Sequence, residues 1–187
     1  MTSLSLGARL LLLMACVLSG SLASARDIEI TSASNRVENG MLLLDADATF
    51  EFSEDARQAL DSGIPLTIQL EVRVSRVRSY VWDAQVVRTR RKMVIEHHAL
   101  SNQFLITDQT TGDRRAFSSL DAAIADLGRI HSLPLSEASL VGTNDDFQIG
   151  LRLWLDLRSL PGPLIPVAYV SPAWHMSSGW YRWSIQR

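Results

Sequence analysis

The sequence predicts a mostly β protein, an antiparallel β-sandwich with two short helices. Two stretches carry this expectation. In PLTIQLEVRVS, residues 65–75, the even positions Leu66, Ile68, Leu70, Val72 and Val74 are apolar and the odd ones are polar. In FQIGLRLWLDLR, residues 147–158, Phe147, Ile149, Leu151, Leu153, Leu155 and Leu157 form a second apolar set of constant parity. Successive side chains of a strand point to opposite faces, so each pattern describes a strand with one face in a core and one in water. Such half-wet strands belong to antiparallel sheets.

The other elements follow in chain order. Strands are expected at Ile28–Ala33, Met41–Phe52, Ala84–His98, Asn102–Asp108, Leu164–Ser171 and Trp180–Ile185. A first helix opens at Ser53-Glu54-Asp55, with serine as N-cap and acids at the positive helix end. Ala56, Ala59 and Leu60 give its inner face, and Gly63 closes it. A second opens at Ser118-Ser119-Leu120-Asp121, runs through Ile124 and Leu127, and ends at Gly128. Arg129–Asp146, with Pro134, Gly142 and Asn144-Asp145-Asp146, reads as an ordered loop packed on the body. Pro166 cannot donate to a strand ladder, which places Leu164–Ser171 at a sheet edge or beside a bulge.

The N-terminus has the form of a secretory signal. Arg9 precedes the apolar run Leu10–Leu18, and Ala23 and Ala25 supply the small-x-small exit, so cleavage is expected after Ala25. Nine apolar residues rise only about 14 Å as a helix, too little for a permanent span. Leu13-Met14-Ala15-Cys16 resembles a lipobox, which offers lipid anchoring through Cys16 as the alternative to cleavage after Ala25. Residues 26–187 then form a single domain. That portion holds no cysteine and carries 17 basic against 20 acidic residues. Its balanced charge names no particular partner, and an exported, net-negative chain argues against nucleic acid.

Catalytic and metal motifs are sparse. No G-x-S-x-G, phosphate-binding loop or H-E-x-x-H occurs. His97 and His98 are adjacent and point to opposite sides of a strand, and His131 and His175 stand apart, so no metal or other cofactor is expected. Asp45 and Asp47 share a strand face about 6.7 Å apart. Paired acids on a wet face are mostly solvated surface, and the expectation is a protein without catalytic activity.

Two candidate contact surfaces remain. The first is basic. Arg88, Arg90 and Lys92 share one side of a strand, and a hairpin around Tyr80–Asp83 with paired numbers summing to 163 sets Glu71 against Lys92 and Arg73 against Arg90. Like charges face to face are unfavourable, which suits an anionic lipid, an anionic glycan or an acidic protein surface; a solvated anti-aggregation face is the plainer reading. The second is Trp154, a large ring on the polar parity of its strand, either covered by the helices or exposed as a contact, with Arg152 or Arg158 near enough to hold it. Trp174, Trp180 and Trp183 differ in parity and cannot share one straight strand face, so most of them are expected to pack in the core.

The order of several short pieces resembles a known family. These are Val37-Glu38-Asn39-Gly40, Leu44-Asp45-Ala46-Asp47, Ala59-Leu60, Gly63-Ile64-Pro65-Leu66, Leu155-Asp156, Leu160-Pro161-Gly162-Pro163-Leu164, Trp174 and Ser178-Gly179-Trp180-Tyr181-Arg182-Trp183. Together they look like the exported bacterial proteins of domain of unknown function 4390, with Gly162 standing where the family carries a bulkier residue. The resemblance implies a periplasmic envelope protein. It supplies no activity, cofactor or catalytic residue, and it points to an envelope protein partner, a membrane sensor kinase among them.

Overall fold

The computed structural model describes residues 27–76, 84–140 and 147–185. The expected leader with Cys16 and the hairpin tip at 80–83 lie outside them. Among the described residues, nine strands form two antiparallel sheets. One has three strands in the order β1-β2-β7, from Ile28–Glu38, Met41–Phe50 and Arg129–Glu137. The other has six in the order β6-β5-β4-β3-β8-β9, from Arg114–Phe117, Gln103–Asp108, Ala84–His98, Leu66–Arg76, Phe147–Leu155 and Tyr181–Ser184. Three short helices, α1 (Glu54–Asp61), α2 (Leu120–Leu127) and α3 (Ile165–Val170), complete a sandwich-like body.

The core follows the alternation. Leu66, Ile68, Leu70, Val72 and Val74 of β3 are buried, as are Phe147, Ile149, Leu151, Leu153 and Leu155 of β8. They meet Ile28, Ile30, Leu42, Leu44, Ala46, Ile130, Leu133 and Leu135 of the smaller sheet in one cluster. Removing this apolar surface from water is the main force holding the sheets together. Ser53 caps α1 by accepting the Ala56 N–H at 3.3 Å, and Ser119 caps α2 by accepting that of Ala122 at 3.2 Å. Gly63 takes φ +80° just past α1, where its N–H reaches the Leu60 carbonyl at 2.8 Å.

Three of the expectations are corrected by the structure. Leu164–Ser171 is not an edge strand: a 3-10 turn at Gly162–Leu164 leads into α3. Proline suits the first turn of a helix, where its missing N–H would find no partner anyway, so Pro166 starts a helix. The described residues therefore hold three helices, not two. Arg129–Glu137 is strand, not loop, because β7 is an edge strand and tolerates Pro134 there; residues 141–146 lie outside the described part. Finally, β3 and β4 pair Glu71 with Arg90 and Arg73 with Arg88. That is two residues from the expected register, a shift that keeps every side chain on its expected face.

Candidate functional site

The outer face of the six-stranded sheet gathers the predicted residues. No sheet covers it. The pairings Glu71–Arg90, Glu71–Arg152 and Gly150–Arg182 put Arg73, Arg88, Arg90, Lys92, Arg152 and Arg182 on one side of four neighbouring strands. The acid at their centre is Glu71; Glu96, farther along β4 on the same face, pairs with Arg114 of β6.

Glu71 stands on the water-facing parity yet is 3% exposed. The arginines themselves cover it. Its Oε1 accepts from Arg73 Nε at 2.5 Å and from Arg88 Nε at 2.8 Å. Its Oε2 accepts from Arg88 Nη2 at 3.1 Å and Arg90 Nε at 3.1 Å. Charge-assisted hydrogen bonds of this kind are the strong ones. One carboxylate thus relieves the Arg73–Arg88 cross-strand repulsion, which is the physical reason the observed register is favourable. Three arginines share one negative charge, so the cluster keeps an excess of two positive charges.

Tryptophans flank the cluster on the side of β8 and β9. The Arg73 guanidinium lies 4.4 Å from the ring centre of Trp180, and that of Arg152 lies 5.3 Å from Trp154. Gly150 leaves room for Trp180: a Cβ there would stand 3.2 Å from its ring. Trp154 is half-buried, between Gln69 of β3 and an isolated bridge to Ser177. Arg152 donates to the Ser177 hydroxyl at 3.2 Å. The ring therefore stands between full cover and free exposure.

The two surfaces proposed from sequence meet. A hollow of about 660 Å³ is lined by Gln69, Arg90, Lys92, Trp154, Asp156, Arg158 and Tyr169, among others. Trp154 thus borders the same depression as two of the three basic-strand residues. Arg88 lies farther along the face, bound to Glu71. Sequence reasoning placed Arg73 on this face but missed Glu71 as the centre and Arg182 and Trp180 as members. The signal was available in the shared parity of Glu71 and Arg73, but the register needed to join the strands was not.

The other sequence candidates lie elsewhere. Asp45 and Asp47 are on the outer face of the smaller sheet. Asp45 pairs with Arg36 and accepts the Ser132 N–H at 3.0 Å, steadying a bulge where Ser132 has φ +50°. Asp47 accepts from the Ser32 hydroxyl at 2.9 Å. His97 stacks on Phe104 at 4.6 Å. Trp174 is buried, and Trp183 donates to Asn35 Oδ1 at 3.3 Å, linking β9 to the smaller sheet. Among the described residues, no group of three or more His, Cys, Asp or Glu is placed to hold a metal, and no helix is long and apolar enough to cross a membrane.

No curated protein and no solved structure matches the chain. The model of a domain of unknown function, DUF4390, matches residues 25–184. The matched span takes in every strand and helix described above, and the chain belongs to the DUF4390 family.

Proposed function

We propose that this chain is an exported, non-enzymatic envelope protein whose arginine–tryptophan face docks on an acidic surface of a partner protein, such as the outer domain of a membrane sensor kinase. The observation that carries this reading is the composition of one sheet face: six cations, one buried acid and two tryptophans held by cation–π contacts. Arginine and tryptophan are the residue types that most often dominate binding energy at protein interfaces. A field of one sign also speeds the encounter with an oppositely charged surface. The absence of catalysis is supported by Asp45 and Asp47, whose carboxylates are engaged with Arg36, Ser132 and Ser32. Export is supported by the leader-like N-terminus and by a family match that starts at residue 25, beside the expected cleavage point.

A photo-crosslinker at Gln148, on this face, identifies the partner in envelope extract. Titration of the purified partner then measures affinity. Trp154→Ala and Arg152→Ala are each expected to weaken binding at least about tenfold, as truncation of interface anchors does, and affinity should fall as salt rises. Binding that is indifferent to both substitutions and to salt overturns the reading.

A further inference from the structure

One end of the molecule combines features that the partner face does not need. From Leu160 to Ala173 the chain reads LPGPLIPVAYVSPA and carries no charge. Leu160 and Ala168 anchor it in the core. Pro161, Pro163, Pro166, Val167, Tyr169 and Val170 are nevertheless exposed, Val170 to 81% and Val167 to 55%. On α3, Pro166, Val167 and Val170 are spaced to share one helix face, turned away from the buried Ala168. A contiguous apolar ridge of this kind marks a contact surface.

What lies beside the ridge identifies the contact. Tyr169 turns into the 660 Å³ hollow, where it faces Arg90, Lys92, Arg158 and Trp154. The one acid in that lining is Asp156, which accepts from the Gln69 side chain and from the Arg158 N–H. On the far flank of α3, Asp55 borders a smaller depression of about 250 Å³ with Val167 and Trp174. The order is therefore apolar ridge, aromatic boundary, cationic hollow. A phospholipid leaflet presents the complementary order: acyl chains, interface, phosphate. Tryptophan and tyrosine are the residues enriched at that interface.

We propose that this end docks on an anionic phospholipid surface, with Pro166, Val167 and Val170 at the acyl boundary and one headgroup phosphate in the hollow between Arg90, Lys92 and Arg158. The hollow shares Arg90, Lys92 and Trp154 with the partner face, whereas Arg158 and the ridge of α3 belong to this inference alone, so the Arg158 and valine variants separate its failure from that of the partner reading.

The test uses the full chain with vesicles of brominated phosphatidylcholine, alone or mixed with brominated phosphatidylglycerol. All variants share residues 1–26, so differences among them report on this end. Bromine should quench tryptophan fluorescence more strongly on the mixed vesicles, and Trp154→Phe should remove the extra quenched component. Lys92→Ala and Arg158→Ala should each weaken the phosphatidylglycerol-dependent binding about fivefold, the worth of one cation near an anionic surface. Val167→Asp with Val170→Asp should abolish the extra quenching; both sites are exposed, and circular dichroism verifies the fold. Equal quenching on both vesicle types overturns the proposal. So does quenching that survives the double valine variant, or a ridge that proves to bind a protein with no effect of lipid.

Discussion

At the residue scale, Glu71 is the position on which most depends. Its carboxylate is buried, while the arginine side chains around it remain 39–52% exposed. Removing one partner of a buried charge cluster is costly, but solvent screens the exposed side, so the loss falls between that of an exposed and that of a fully buried pair. Glu71→Gln should lower unfolding stability by about 2 kcal/mol in urea titration, and the loss should shrink in high salt, which screens the remaining arginines from one another. A variant as stable as the parent would show that the cluster contributes nothing net. The sequence made the parity of Arg88, Arg90 and Lys92 legible. It could not reveal the burial of Glu71, because alternation assigns odd positions of β3 to water and takes no account of long cations folding over a shorter acid.

At the element scale, the docking of α2 turns on Gly128. This residue caps the helix with ordinary helical dihedrals, and its carbonyl accepts the Ala48 N–H at 2.8 Å. A Cβ there would collide with the Ala48 carbonyl oxygen. Gly128→Ala should therefore cost about 2–3 kcal/mol by forcing helix and strand apart, visible as a lower thermal midpoint, whereas the same change at Gly162, with open space around it, should leave the midpoint unchanged. The sequence marked Gly128 as a helix stop; the close approach to β2 needed the tertiary fold. Proline explains the two elements that were misread. Pro166 was assigned to an edge strand but lies in the first turn of α3, and Pro134 was assigned to a loop but lies in edge strand β7. The missing N–H is tolerated at Pro166 because the first helical turn leaves it without a partner, and at Pro134 because the strand lies at a sheet edge. The four-residue β6 was too short to signal itself.

At the scale of the whole molecule, β3 occupies the middle of the wider sheet, with β4 on one side and β8 on the other. Its even side chains lie at the centre of the core. Exchange with heavy water followed by mass spectrometry should find the slowest amides in β3 and β8 and the fastest in α3 and β6; fast exchange through β3 would mean that the two sheets open separately. The alternation in residues 65–75 and 147–158 was enough to place this central pair and to name its faces. The pairing of β2 with β7 was not legible, since it joins Asp47 to Arg129 across α1, α2 and four intervening strands. The candidate site suffered in the same way: its members were visible strand by strand, and their meeting in one hollow depended on strand order and register.

The bonds from Glu71 to Arg73, Arg88 and Arg90 have a consequence for recognition. A surface of loose lysines must surrender side-chain freedom when something binds to it. Here three guanidinium groups are already oriented during folding, so an incoming anion meets a rigid array and little rotamer entropy remains to be lost.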